Sequence, residues 1–89
     1  MDDAELRPLL ERTAVGDRQA FQTLYEKASP RLFAVSVRVL QDRAEAEDAL
    51  QDAFIKIWRY AERFPVSGVR AQTWMIAIVR NTAIDKLRA

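Results

Sequence analysis

The sequence contains no histidine and no cysteine. It therefore lacks the side chain that most often serves as general base and zinc ligand, and it can form neither a disulfide nor a thiolate metal site. A chain without these groups is poorly equipped for catalysis. We expect no enzymatic activity, no metal site and no cofactor.

Glycine and proline are scarce, with two Gly and three Pro in 89 residues. The sequence also lacks alternating apolar runs flanked by turn residues, which would indicate strands. At 89 residues, 49% of them apolar, the chain is long enough for one small core and too short for two domains. We predict an all-α fold, a compact bundle of about four helices that forms a single domain over residues 1–89.

Long hydrophobic runs are absent as well. The longest uncharged stretch is Ala71 to Val79, far below the roughly 20 apolar residues that a membrane span needs. The N-terminus has no basic signal-peptide start. We expect no membrane insertion and a cytoplasmic location.

The net charge is only +1, but the charges are unevenly distributed. Residues 1–53 carry 7 basic and 11 acidic side chains, and residues 54–89 carry 7 basic and 2 acidic ones. The second part, at +5, is the candidate surface for a polyanion, although short helices can also differ in charge by chance.

Capping residues predict where the helices begin and end. We predict a first helix from about Glu5 to Val15 with Pro8 in its first turn, stopped by Gly16. Asp17 is a suitable N-cap for a second helix, in which Pro30 favours a kink over a break.

Two further helices follow. Asp42 predicts the start of a third helix that reaches about Phe64. After a loop containing Pro and Gly, Ser67 is a candidate N-cap for a last helix that runs to about Leu87.

The third helix has two contrasting faces at 100° per residue. Apolar residues share one arc, which we predict to pack inward: Leu50, Phe54, Ile57 and Ala61. The opposite face carries Asp48, Gln51, Asp52, Ile55 and Arg59. An exposed apolar side chain such as Ile55 needs no partner by itself, but an apolar knob with an acidic rim is typical of a helix that docks in a basic protein groove.

The last helix changes character along its length. Thr73 to Val79 is apolar nearly all round and is predicted to be mostly buried. The second half displays Arg80, Asn81, Lys86 and Arg88, which can bind phosphates and base edges, and we expect Asp85 to pair with a neighbouring Arg.

The loop from Phe64 to Gln72 carries Ser67 and Gly68 and is flanked by Arg63 and Arg70. Such a loop can hold an unstacked base, or it can be a plain connector between helices. The aromatic residues nearby can stack on bases, but we assign at least Phe64 and most of Trp74 to the core.

Three blocks of sequence form a pattern in a fixed order: GDRQAFQTLY at residues 16–25, AEDALQDAFIKIWR at 46–59 and TWMIAIVRNTAIDKLR at 73–88. Together they resemble region 2 of the extracytoplasmic-function (ECF) sigma factors, a group of the sigma-70 family. The match covers essentially the whole chain, and the order and spacing of the blocks make it specific.

The resemblance implies a partner for the third helix. In this family, the helix with the Asp-x-x-Gln-Asp pattern docks on the clamp helices of the largest subunit of the RNA polymerase core. The resemblance gives that role to Asp48, Gln51, Asp52 and Ile55, with Arg59 on the same face.

The resemblance also implies that the loop and last helix recognise and help to melt the minus-ten promoter element by capturing its non-template strand. The candidate DNA-binding residues are Arg63, Val66, Ser67, Gly68, Val69, Arg70, Gln72, Arg80, Asn81, Lys86 and Arg88. One charge is missing, because many members have Arg where this chain has Ala77. Family members commonly bind an anti-sigma factor. Complete members continue into a helix-turn-helix region 4 domain, which is absent from this chain, so we expect it to be one domain of a longer factor.

Two other functions stay open on the residues alone. One is an autonomous regulator that binds duplex DNA, although a short-turn helix-turn-helix is not evident. The other is a structural helical interaction module, which the same core pattern permits.

Overall fold

Four α-helices and one short 3₁₀ helix make up the residues that the computed structural model describes, which are 2–65 and 68–89. The α-helices are α1 (Asp3–Ala14), α2 (Arg18–Leu40), α3 (Arg43–Tyr60) and α4 (Ala71–Arg88). The 3₁₀ helix, Ala61–Arg63, directly follows α3. No strand occurs in these two described ranges. The prediction of an all-α bundle of about four helices is confirmed.

The start of α1 differs from the prediction. The side chain of Asp2 accepts a hydrogen bond from the backbone N–H of Ala4 and caps the helix, which therefore begins at Asp3. As a result Pro8 lies inside α1, beyond the first turn where we had placed it. The prediction was wrong because the earlier cap, Asp2, was not considered.

The junction between α1 and α2 follows the prediction. Gly16 has a φ of +91°, a left-handed conformation that glycine adopts without steric strain. The Asp17 carboxylate accepts a hydrogen bond from the N–H of Ala20 at 3.0 Å and caps α2. The N-terminus of α2 is thus fixed immediately after α1 ends.

The turn between α2 and α3 is equally short. Helix α2 continues through Pro30 without a break, as predicted, and its last residue, Leu40, is followed by Gln41 in the left-handed conformation. Asp42 then accepts a hydrogen bond from the N–H of Glu45 at 2.9 Å, which confirms it as the N-cap of α3.

The end of α3 and the start of α4 were predicted less accurately. Helix α3 stops at Tyr60 and tightens into the 3₁₀ turn, so it does not reach Phe64 as an α-helix. The predicted cap Ser67 lies outside the described residues. Arg70 occupies the N-cap position of α4 and makes no side-chain capping bond there. That helix runs to Arg88, one residue beyond the prediction.

All four helices contribute to one main core. The predicted inward face of α3 is confirmed, since the whole arc is buried. The largest fully buried apolar side chains are Leu6, Leu10, Leu24, Leu32, Ile57, Met75 and Val79. A smaller cluster of Leu40, Ala49 and Ala83 joins α2, α3 and α4. The core thereby holds the outer faces of α3 and α4 in a fixed relation.

Buried hydroxyl groups are satisfied by backbone carbonyls. Ser36 is fully buried in α2 and donates to the carbonyl of Ala46 at 2.9 Å, which joins α2 to the first turns of α3. Thr82 donates to the carbonyl of Ile78, one turn earlier in α4. No buried side-chain nitrogen or oxygen in the described part of the chain lacks a hydrogen-bond partner.

Burial in the first half of α4 is more one-sided than predicted. Met75 and Val79 are fully buried, whereas Thr73 and Ala77 are exposed. The helix lies against the bundle along one side, so its period still separates buried from exposed positions. Within residues 2–65 and 68–89, no helix is both long and apolar enough to cross a membrane.

The cap of α2 predicts a pH dependence of stability. The N–H of Ala20, followed by the guanidinium of Arg12, lowers the pKa of the Asp17 carboxyl below its ordinary value of 3.8. Because the folded pKa is the lower one, this stabilisation is present above the unfolded pKa and is lost as the pH falls through the folded pKa. Asp17→Asn keeps a capping oxygen but cannot ionise. We expect wild type to melt above the variant near pH 6 and the two curves to converge below about pH 4. Circular dichroism melts measure this, and a constant difference down to about pH 2 would contradict it.

Candidate functional site

The outer face of α3 presents five residues in one stripe, called here the α3 stripe. They are Asp48, Gln51, Asp52, Ile55 and Arg59, and all are exposed. Their spacing of three or four residues places them on the same side of the helix. Ile55 is 56% exposed, whereas Ile57 on the same helix is 0% exposed. The predicted facing of this helix is confirmed.

A groove with aromatic walls runs along one side of the α3 stripe. It lies between α2 and α3 and has a volume of about 540 Å³. We call it the aromatic groove, and its lining residues are Arg18, Phe21, Gln22, Tyr25, Gln51, Phe54, Ile55 and Trp58. Ile55 thus forms one rim of a largely apolar depression. Sequence reasoning missed this groove because it forms only where α2 and α3 pack against each other.

Contacts between aromatic rings hold the walls of the aromatic groove. The rings of Phe21 and Trp58 meet edge to face with centroids 5.1 Å apart, and the tilted rings of Tyr25 and Phe54 have centroids 4.8 Å apart. These distances are within the range in which aromatic pairs stabilise one another. The pairs join residues four positions apart on α2 to residues four positions apart on α3. This spacing is a signal that sequence reasoning can use for such a groove.

A second, charged groove lies on the other side of Ile55. Asp52, Ile55, Lys56 and Arg59 line it from α3, and Thr82, Asp85 and Lys86 line it from α4. The ammonium of Lys56 donates to the hydroxyl of Thr82 at 3.1 Å and ties the two helices together. Lys86, which we had grouped with the DNA-binding residues, therefore lies beside the α3 stripe.

The remaining candidates on the second half of α4 are exposed. Arg80, Asn81 and Arg88 all reach solvent. Within the described part of the chain, Asp85 forms no ion pair, so the predicted pairing with a neighbouring Arg was wrong. Asp85 instead lines the charged groove together with Arg59 and Lys86.

The segment before α4 exposes Arg63, Gly68 and Arg70. Gly68 has a φ of +89°, a conformation that side chains with a Cβ rarely adopt. Val69 and Gln72 are partly buried. The predicted residues Val66 and Ser67 lie outside the described part of the chain.

The aromatic residues around this segment are packed. Phe64 and Trp74 meet edge to face with centroids 5.5 Å apart, and both are partly buried. Their assignment to packing is confirmed. The guanidinium of Arg63 lies 4.8 Å from the centre of the Tyr60 ring, a distance typical of a cation–π contact. Arg63 is thereby held on the outer side of the 3₁₀ turn.

Comparison with known families shows which family the chain belongs to. Residues 24–89 match the family model described as Sigma-70 region 2. The chain belongs to this family. The match includes the α3 stripe, the loop and α4, whereas α1 precedes it.

Curated relatives of this region 2 domain are ECF sigma factors. The chain is 31% identical over 86 residues to ECF RNA polymerase sigma factor SigK of Mycolicibacterium vanbaalenii, covering 97% of the chain and 44% of the relative. The proteins of the same name from Mycobacterium bovis and Mycobacterium ulcerans are 29% and 28% identical over 85 residues, covering 96% of the chain and 46% of each relative. The chain therefore spans less than half the length of these relatives. No solved structure matches it significantly.

Proposed function

We propose that this sigma region 2 domain binds the RNA polymerase core through the α3 stripe and then binds the non-template strand of the minus-ten promoter element through the loop and α4. The observation that carries the proposal is the pair of exposed surfaces in this sigma-70 region 2 domain. One is an acidic stripe around an exposed isoleucine, and the other is a set of exposed cationic and amide groups on α4.

The polymerase-binding step rests on the surroundings of Ile55. Its side chain is 56% exposed, with the aromatic groove on one side and the charged groove on the other. An apolar anchor with adjacent depressions suits a partner helix that inserts its own apolar side chains. Asp48 and Asp52 flank the anchor and complement a basic partner. We propose the clamp helices of the largest polymerase subunit as that partner.

The DNA-binding step rests on Arg80, Asn81 and Arg88, together with the arginines that flank the loop. Guanidinium groups bind phosphates, and Arg and Asn also make paired hydrogen bonds to base edges. The left-handed Gly68 allows the backbone before α4 to turn sharply between the flanking Arg63 and Arg70. We propose that a base of the non-template strand is captured here, with Val66 and Ser67 as part of its pocket and Lys86 as an additional phosphate contact.

The mechanism is one of binding and strand separation, with no covalent bond made or broken by this domain. We propose that the domain acts in the cytoplasm as part of a longer factor. In such a factor, a separate region 4 domain recognises the minus-thirty-five promoter element. An anti-sigma factor that covers the α3 stripe or the DNA-binding residues would block it.

Strand preference tests the DNA-binding step. Extruding a base from duplex DNA costs a few kcal/mol, a cost that is absent when the strand is already single. We therefore expect the domain to bind a single-stranded library randomised over the minus-ten positions about tenfold or more tighter than the same library as duplex. Fluorescence anisotropy at fixed salt measures both affinities.

Arg80→Ala should weaken single-strand binding. Arg12→Ala removes an equal charge from the end of α1, where Arg12 pairs with Asp17, and should have much less effect. Equal affinity for single strand and duplex would contradict base capture and would favour the autonomous regulator of duplex DNA. No loss in Arg80→Ala beyond that of the control would exclude α4 from the DNA-binding surface.

A further inference from the structure

The first turn of α4 is capped from outside its own segment. A helix N-terminus leaves backbone N–H groups without intrahelical partners, and a nearby side chain usually accepts from them. At the N-cap of α4, Arg70 makes no such bond. The carboxylate of Asp3, in the first turn of α1, instead accepts a hydrogen bond from the N–H of Ala71. A negative charge thereby lies at the positive end of the α4 dipole.

Arg7 extends the same contact to the loop. Its Nε donates to Asp3 Oδ2 at 3.0 Å, and its two terminal nitrogens donate to the backbone carbonyls of Pro65 and Val69. One guanidinium thus binds the chain on both sides of residues 66–68. Only arginine offers several donors in one rigid plane, so lysine cannot reproduce this arrangement.

Stacking reinforces these hydrogen bonds. The guanidinium of Arg7 lies 4.7 Å from the centre of the Phe64 ring, and Phe64 packs edge to face on Trp74 of α4. Contacts therefore continue from α1 through Phe64 to the second turn of α4. The segment before α4 is held at its carbonyls, at its aromatic residue and at the helix that follows.

Burial distinguishes this pair from an ordinary surface ion pair. The side chains of Arg7 and Asp3 are 24% and 26% exposed. Those of the Arg12–Asp17 pair are 59% and 30% exposed, so the larger difference is between the two arginines. Partly buried ion pairs are less screened by solvent and salt than exposed ones. The bond from Ala71, followed by that from Arg7, lowers the pKa of the Asp3 carboxyl below its ordinary value.

We propose that Asp3 and Arg7 are positioning residues that set the conformation of the DNA-binding loop and thereby the base preference of the domain. This inference rests on the proposed function and deepens it, because it assigns to α1 a part in DNA recognition without contact with DNA. Neither residue lies in the span that matches the family model, which begins at residue 24. Both are far in sequence from the residues they hold.

The test compares Arg7→Ala and Arg7→Lys with the control Arg12→Ala. Arg12 lies on the same helix as Arg7, but it pairs with Asp17, the N-cap of α2. Two measurements are made on the whole 89-residue chain. The first is amide hydrogen exchange at Val69 and Ala71. The second is the affinity for single-stranded minus-ten libraries with each base fixed in turn, which gives a base-preference profile.

We expect both Arg7 variants to accelerate exchange at these two amides and to reduce the preference for the favoured base about tenfold at one position, while Arg12→Ala changes neither. Affinity for the polymerase core, measured in parallel, should be the same in all variants. Asp3→Asn, which leaves Arg7 in place, should give a smaller change in the same direction and serves as the test if both Arg7 variants fail to fold.

Two results would overturn the inference. One is faster exchange with an unaltered base-preference profile, which would make the contact purely structural. The other is an equal loss of polymerase affinity, which would indicate a general loss of structure. If the wild-type chain itself shows no base preference, the proposed function fails and the inference fails with it. The hydrogen-exchange measurements then still show whether α1 orders the segment before α4.

Discussion

Ile55→Ala is expected to weaken binding of the RNA polymerase core by about 30-fold or more, with little change in the stability of the domain. A central apolar anchor of an interface typically contributes about 2 kcal/mol or more, which corresponds to that factor. Ile55 is 56% exposed, so its truncation removes few contacts within the fold, and the expected loss of stability is about 0.5 kcal/mol or less. Titration of labelled polymerase core with the domain measures the affinity, and thermal melts measure the stability.

Val15→Ala is the matched control for this prediction. Val15 is 84% exposed at the end of α1, away from the α3 stripe, and its truncation should change neither polymerase affinity nor melting temperature. Polymerase affinity that is unchanged in Ile55→Ala would remove the α3 stripe from the proposed interface. Unfolding of that variant would instead show that Ile55 belongs to the core.

The second large effect is expected two residues further along the same helix. Ile57 is 0% exposed and belongs to the main core, so Ile57→Ala removes buried apolar atoms and leaves a cavity. The expected loss is about 2–5 kcal/mol. A domain of this size has a total stability of about 5–15 kcal/mol, so a large share of it would be lost. Urea unfolding followed by circular dichroism measures the difference.

The two isoleucine variants together separate binding from folding. Ile57→Ala should retain near-normal polymerase affinity once the folded fraction is accounted for, because its side chain does not reach the surface. A loss below about 1 kcal/mol in Ile57→Ala would mean that the surrounding core closes around the cavity. It would contradict the tight packing on which the fixed relation of α3 and α4 depends.

Local rules were sufficient to predict much of the fold. Ile55 and Ile57 are two positions apart, and a rotation of 100° per residue separates them by more than half a turn, which places one outside and one inside. Asp17 and Asp42 were identified as caps because the donor that each accepts from lies three residues away in the chain. Both predictions need only the sequence within one helical turn.

The parts that could not be predicted depend on contacts between distant segments. No local rule connects Asp3 with Ala71, so a cap was sought in the neighbouring Ser67 instead. Lys86 was placed with the DNA-binding residues from its charge alone, and its position beside Ile55 follows from how α4 packs on α3. The aromatic groove likewise requires the relative placement of two helices.

The bond between Asp3 and Ala71 also has a consequence for the order of folding. Helix α4 is synthesised after the other three, and its N-cap residue, Arg70, makes no side-chain capping bond. Its first turn therefore gains an acceptor only after Asp3 and Ala71 have come together. Packing of α1, α2 and α3 must offset the entropic cost of closing this long loop. An isolated peptide of α4 would fray at this end. During synthesis, the first turn of α4 is capped only when α1, made first, has docked against it.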